Sequence, residues 1–445
     1  MLNKLFKLEK RNSNLETEIL AGITTFLAMA YILGVNPTML AEGGMPASGV
    51  FFATALASGI GCILMGLVAD WPIGIAPGMG FNALFTHTII IGMGCSWKAA
   101  LAAVFLSSLI FLIITISGLT EVIINIIPHE LKVGIVSAIG FFLAFIGLKS
   151  AGIIVAHPLT LVTLGSMTSA PALLALIGIL ITLIFYVQRV PGAVFFGMII
   201  TAILGTIFVV FGYGAGNPLM PSIPVEAVSF SFDMSLLGGL LSGFGELFSN
   251  IPGLIMILFS LLFITFFDTT GTFLGIANQA GFIDEDGEVE GIEKAFLVDA
   301  LSGLIGSILG TSTLTAYVES ATGVGAGGRT GIAAVTTGVL FILSIFFAPL
   351  VLAFFTSSVT SAALFMVGVL MITQLKHIDW DNLVIASSVF MTIIMMVLTY
   401  SVSLGVAWGF ITYTVATIAT GKYKELSWGI WILAILFFLY LFFGL

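Results

Sequence analysis

The stretch Phe263–Gly275, FITFFDTTGTFLG, decides how this chain is read. From Ile251 to Phe267 the sequence is almost wholly apolar, and then Asp268 follows. A carboxylate in the middle of an apolar span costs ~2.5–3.5 kcal/mol on insertion scales, so such acids are functional by default. The plainer alternative is an interhelical or helix-bending hydrogen bond through Thr269, Thr270 or Thr272.

The surroundings make this a membrane question. The 445 residues are 59% hydrophobic and only 8% charged, with strongly positive mean hydropathy. A soluble chain of that size needs more polar side chains to cover its surface. Apolar runs of roughly 18–24 residues recur throughout, each long enough to cross ~30 Å of hydrocarbon as a helix. Breakers delimit fourteen candidate spans: 18–35, 48–69, 74–93, 97–118, 131–148, 170–188, 192–212, 253–277, 293–310, 314–328, 330–354, 358–373, 382–399 and 402–420. A further apolar stretch, 428–445, either spans or lies along the interface.

Lysine and arginine orient these spans. With the N-terminus in the cytoplasm, the inner side receives Lys4, Lys7, Lys10, Arg11, Lys132, Arg189, Lys294, Arg329, Lys376, Lys422 and Lys424. The outer side receives only Lys98 and Lys149. The connection 213–252 carries neither Lys nor Arg and is expected outside. The expected organisation is a cytoplasmic segment 1–17, seven spans in 18–212, an external connection 213–252, seven spans in 253–420 and a C-terminal apolar segment 421–445.

Two spans are wrong for ordinary helices. The third opens WPIGIAPGMGFNALF (71–85), with two prolines and three glycines; the tenth lies in GTSTLTAYVESATGVGAGG (310–328), with the β-like run TLTAY. Such backbone is tolerated at membrane depth only inside protein or beside a water-filled cavity. Both are third in their seven-span half. Interrupted segments at matching places in two halves point to a transporter site between inverted repeats. A shift of 237 positions lays Asn82 on Glu319 and Tyr31 on Asp268.

Asp268 and Glu319 are the carboxylates deepest in apolar blocks, with Asp299 a third case. Glu319 could instead cap a helix N-terminus, where the dipole favours an acid. A half-helix beginning there would aim free N–H groups at a cavity. With Tyr317 on one side and Phe81–Asn82 on the other, the kit suits a flat, uncharged heterocycle with donors and acceptors on its edge. Asp268 could also carry a proton between the two sides.

Other features are quieter. Asp284, Glu285, Asp286, Glu288, Glu290 and Glu293 crowd one loop, read as a solvated turn without EF-hand spacing. Cys62 and Cys95 form no metal or redox motif. The four histidines are scattered, no nucleophile stands beside a base, and no removable signal opens the chain. The string GVGAGGRTG (323–331) lacks the Gly-Lys-Ser/Thr ending of a nucleotide loop and is read as close helix packing. Neither a cofactor, a metal, a nucleic acid nor enzyme chemistry is expected. An anion carrier is disfavoured by Glu319; a membrane-embedded enzyme would need paired metal-binding acids or a His/Ser dyad.

The motifs GITTFLAMAYILGVNP, GIAPGMGFNALF, FFDTTGTFLGIANQAG and TAYVESATGVGAGGRTG together resemble the azaguanine-like branch of the nucleobase:cation symporter-2 family. These are guanine/hypoxanthine/adenine permeases, distant relatives of uracil and xanthine permeases. The resemblance runs through nearly the whole chain. It implies an all-α polytopic membrane protein of two intertwined inverted seven-span repeats, with short extended stretches in spans 3 and 10. A core domain (spans 1–4 and 8–11) would move against a gate domain (spans 5–7 and 12–14) in elevator-like alternating access. It further implies a cell-membrane purine importer coupled to H⁺ or Na⁺, and it allows a homodimer. By motif, Asn82, Asp268 and Glu319 would bind the base, Phe81 and Tyr317 would flank it, and Gly80 would permit close approach; Asp268 and Glu319 would couple protons. Uracil-type relatives carry a Glu followed by a His where this chain has Asp268 followed by Thr, which favours purine and puts a His-assisted relay in doubt. A uracil/xanthine permease, or a sulfate/bicarbonate-type carrier, is the alternative.

Overall fold

The computed structural model describes residues 6–118, 128–224, 226–283 and 289–443. Asp284, Glu285, Asp286 and Glu288 of the acidic loop lie outside the described residues.

The first span is two helices, α1 (Leu15–Met29) and α2 (Ile32–Glu42), broken at Ala30–Tyr31. Asn14 caps α1 by accepting from the Thr17 N–H, with Glu16 and Glu18 in the first turn, as the dipole favours. Then come α3 (Ala47–Leu64), strand β1 (Ile75–Pro77), α4 (Met79–Ala83), α5 (Trp97–Ser117), α6 (His129–Ser150), a hairpin β2 (Ile154–His157) and β3 (Leu161–Leu164), α7 (Ala170–Val187) and α8 (Ala193–Val210). The second half has α9 (Ile251–Ala280), α10 (Ile292–Leu309), β4 (Leu314–Ala316), α11 (Ser320–Gly325), α12 (Gly331–Ser344), α13 (Ala348–Phe354), α14 (Ser357–Ile372), α15 (Leu383–Leu398), α16 (Val402–Ala419) and α17 (Trp428–Phe443).

Among the described residues, ten helices are long and apolar enough to cross a bilayer, against fourteen expected spans. Each of the other four has a local reason. Segments 74–93 and 314–328 are strand followed by helix rather than continuous helix. Helix α10 carries Glu293, Lys294 and Asp299. Helix α15 has 16 residues.

The helices pack as two groups. In one, α12 lies on α1 and α3, and α10 lies on α3 and α5. In the other, α14 lies on α6, α7 and α8, and α15 lies on α6 and α16. Glycines set the approach within each. A Cβ on Gly331 would sit 2.0 Å from the Gly66 carbonyl oxygen, and one on Gly368 would sit 2.5 Å from that of Gly140. In a membrane, where water drives no helix together, such contacts carry association. The 323–331 string is used this way: a Cβ on Gly323 would meet the Thr25 hydroxyl at 2.0 Å.

The residues that break spans three and ten join them. Strands β1 and β4 pair antiparallel, Ile75 opposite Ala316 and Pro77 opposite Leu314. The Tyr317 N–H donates to the Gly74 carbonyl (3.0 Å) and the Gly78 N–H to that of Thr313 (3.1 Å), extending the ladder at both ends. Backbone polar groups at membrane depth are thus satisfied across the two segments.

Candidate functional site

Below the β1–β4 pair, between the two helix groups, lies a cavity of about 1330 Å³. Its wall includes Gly80, Phe81, Asp268, Tyr317, Glu319 and Tyr31. It runs toward the face holding the start of α6, the turn between α7 and α8 and the end of α11, where Lys132, Arg189 and Gln279 line it. The N-terminal segment lies at this same face: the Arg11 guanidinium donates to the Arg329 carbonyl at 2.9 Å.

Asp268 and Glu319 are both partly exposed and both on the cavity wall. They face the interior, as an intramembrane acid should. The plainer roles do not apply. The Thr269 hydroxyl donates to Asp299, that of Thr270 to the Phe266 carbonyl, and that of Thr272 has no partner. None of the three donates to Asp268. Glu319 precedes α11 but makes no side-chain cap.

The N–H groups around Glu319 divide into bonded and unbonded ones. The N–H groups of Ser320, Ala321 and Thr322 donate to the carbonyls of Tyr317, Val318 and Glu319 at 2.9–3.1 Å. A tight turn consumes these three, whereas no backbone acceptor among the described residues takes the N–H groups of Val318 and Glu319.

Asn82 is placed differently from the expectation too. It is fully buried, behind the wall made by Gly80 and Phe81. Its amide oxygen accepts from the Ser312 hydroxyl, and its nitrogen lies 3.8 Å from the Met79 sulfur. It ties α4 to the approach to β4 rather than facing the cavity.

Asp299 stands one layer back, 1% exposed. One oxygen accepts the Ala316 N–H at 2.9 Å and the other the Thr269 hydroxyl at 2.9 Å. The Thr269 and Thr315 hydroxyls are 3.2 Å apart, so a hydroxyl pair links Asp299 to the wall residue Thr315. The strand residue Ala316 sits between the wall residues Thr315 and Tyr317, and Asp299 holds it in place.

Tyr31, seen in the sequence only as the offset partner of Asp268, donates its hydroxyl to Glu319 Oε1 at 2.6 Å. Its ring centroid is 6.4 Å from that of Tyr317, whose own hydroxyl donates to the Pro77 carbonyl. An aromatic side chain at the break in an otherwise apolar first span was the available signal.

At the opposite face the cavity ends in packed side chains. The His87 ring lies 4.9 Å from Tyr400, and Phe142 lies 5.2 Å from Tyr400. The Lys149 ammonium sits over the Tyr400 ring at 4.0 Å. His87 Nε2 is 3.9 Å from Glu42 Oε2, and the Val402 N–H donates to Thr88 at 3.1 Å. These contacts join the two helix groups.

Residues 16–408 match the Permease family, Xan_ur_permease. The guanine/hypoxanthine permease PbuG of Bacillus subtilis is 43% identical over 99% of this chain and 100% of its own length. The adenine permease AdeP of Escherichia coli is 39% identical over 99% of this chain and 95% of its own. Among solved structures, the transmembrane domain of the cyanobacterial bicarbonate transporter BicA superposes with a TM-score of 0.65, covering 88% of this chain and 97% of that one. At 16% identity this likeness is one of fold.

Proposed function

Because the chain belongs to the xanthine/uracil permease family and is a membrane transporter rather than an enzyme, we propose that it imports purine nucleobases. Guanine, hypoxanthine or adenine would enter together with protons. The observation that carries this reading is the pair Asp268 and Glu319 on one cavity wall beside Phe81 and Tyr317. Two carboxyls accept N–H groups from a heterocycle's edge, and the rings cover its faces. Asp268, Glu319, Phe81, Tyr317 and Gly80 are the contact residues of this reading; Asn82 serves it from behind, by holding Ser312.

The mechanism follows from the two helix groups. The group carrying β1, β4 and α9 would act as the core, sliding against a gate made of α6–α8 and α14–α16. Fourteen segments in two inverted sets of seven give this division, with the N-terminal segment in the cytoplasm. The cavity then opens inward, and outward opening requires the His87–Tyr400 contacts to part. Asp268 takes up a proton when the base binds and releases it on the inner side; the hydroxyls of Thr315 and Thr269 supply a path toward Asp299.

The fold is shared with bicarbonate and other anion carriers, but two acids on the wall repel an anion. The test is uptake into proteoliposomes. Labelled hypoxanthine, guanine or adenine should accumulate when the outside is acidified, and an uncoupler should abolish it. Substituting Glu319→Gln removes a charge-assisted hydrogen bond of ~1.5–3 kcal/mol, so affinity should fall roughly 10–150-fold. Full proton-driven accumulation by Asp268→Asn, or saturable bicarbonate uptake without purine competition, would overturn the reading.

A further inference from the structure

We infer that Tyr31 is a positioning residue that sets how many donors the Glu319 carboxylate can read, and thereby which purine edge is preferred. The inference rests on the purine reading of this site.

Among the described residues, the Tyr31 hydroxyl is the side-chain donor to this carboxylate, at 2.6 Å to Oε1. The neighbouring donors are committed elsewhere. Tyr317 donates to the Pro77 carbonyl, Thr322 to the Glu319 backbone carbonyl at 2.7 Å, and Gln279 to the Ala321 carbonyl at 3.0 Å. Tyr31 itself is 1% exposed and fixed where α1 gives way to α2. Its carbonyl accepts the N–H groups of Gly34 and Val35 at 3.1 and 3.0 Å. Its ring is therefore a rigid arm, and a phenol on a two-torsion side chain loses little freedom on ordering.

Geometry then limits recognition. An ionised carboxylate can take two parallel N–H donors, one on each oxygen. With one lone pair of Oε1 taken by the phenol, Oε2 is the oxygen a guest reaches without competition, and a donor at Oε1 must share it. A base presenting one N–H at that edge, such as hypoxanthine, satisfies it fully. Guanine presents two adjacent donors, the ring N–H and the amino group, and its second donor finds the oxygen already shared. Tyr31 thus weakens the bidentate mode by competing for Oε1 and narrows the preference for guanine over hypoxanthine. Removing the phenol hydroxyl ends the competition at Oε1, and guanine's second charge-assisted bond strengthens, a gain hypoxanthine cannot share.

The test is competition against labelled hypoxanthine in proteoliposomes of the full chain, reading the ratio of half-inhibitory concentrations for unlabelled hypoxanthine and guanine. In Tyr31→Phe this ratio should move roughly tenfold toward guanine, with the change in KM rather than in maximal rate. Tyr31→4-methylphenylalanine fills the hydroxyl's volume without a donor and should shift the ratio equally. Tyr31→4-aminophenylalanine returns an N–H donor at the same reach and should restore the native ratio. If Tyr31→Phe does not fold, the methyl and amino forms carry the comparison alone. A merely structural role would weaken both bases in proportion; an unchanged ratio in the donorless forms overturns the inference. Failure of the purine reading is seen separately, as wild-type protein that neither base inhibits.

Discussion

At the scale of single residues, the buried polar groups divide into those that face the cavity and those that hold its wall. Asp299 is of the second kind. Removing it by Asp299→Ala leaves the Ala316 N–H unpaired, at about 1–3 kcal/mol, and the Thr269 hydroxyl with Thr315 as its remaining partner. The expected outcome is a lowered melting temperature in detergent together with lost uptake, while Asp299→Asn, which keeps an acceptor, retains more of both. Asn82→Leu should behave similarly. It strands Ser312 behind the wall, so stability and maximal rate fall while KM for hypoxanthine stays within about threefold, well short of the change expected from losing a hydrogen bond to the substrate. The sequence made both acids on the wall legible, because a carboxylate in an apolar run stands out. It could not separate Asn82 from them: an amide two positions from a glycine is equally apt for contact and for support, and only the direction of its side chain decides.

At the scale of elements, local chemistry accounts for the ends and the breaks. Glu18, fully buried, accepts the Arg329 N–H at 2.9 Å and that of Thr330 at 3.2 Å. It thereby ties α1 to the start of α12. Replacing Gly331 by Val would push atoms into the Gly66 carbonyl, now 2.0 Å from a Cβ position. Overpacking of this kind costs roughly 1–3 kcal/mol, and thermal unfolding of the purified protein should register it.

The N-terminal segment adds a surface tie, Lys7 to Glu290 at 2.9 Å. The hydrogen bond from Lys7 holds the Glu290 carboxyl below the usual carboxylate range. A group lowered in this way lends its stability above its unfolded value and loses it as pH falls through its lower, folded value. Protection factors for residues 6–14, which remove the intrinsic pH dependence of amide exchange, should therefore fall only on acidification below the usual carboxylate range, and Glu290→Gln should leave them low on both sides of it. The interruptions in segments 71–85 and 310–328 were readable because prolines and glycines punctuate apolar runs. Their joining into one antiparallel pair was not, since the partners lie some 240 residues apart and three-residue strands carry no periodicity of their own.

At the scale of the whole molecule, the cavity opens at one face and is shut at the other by contacts between the two helix groups. The shut end depends on a few rings around His87, whose nitrogens have no hydrogen-bond partner among the described residues. Apart from the Val402–Thr88 hydrogen bond, the contacts named at this seam are packing rather than directional bonds, which suits surfaces that part in the proposed cycle. Tyr400→Ala removes the ring that His87, Phe142 and Lys149 all touch. In a background with Cys62 and Cys95 replaced, Gly80→Cys on the cavity wall should react with a membrane-impermeant thiol reagent from the N-terminal face. With Tyr400→Ala added, it should react from the opposite face as well. Reaction from the N-terminal face alone in both proteins would show that the seam is not the barrier.

The sequence by itself determined the solvent of this protein, its helical class and the two acids around which it is built. Those follow from composition and from the cost of charge in hydrocarbon, which any order of the same segments would obey. Only the tertiary structure decided which polar groups meet: Tyr31 with Glu319, Asn82 with Ser312, Asp299 with the strand behind the wall. The reason is that a carboxylate accepts a hydrogen bond from whichever donor is brought within 3 Å, and that proximity is set by helix packing across hundreds of residues, about which the local sequence carries no record.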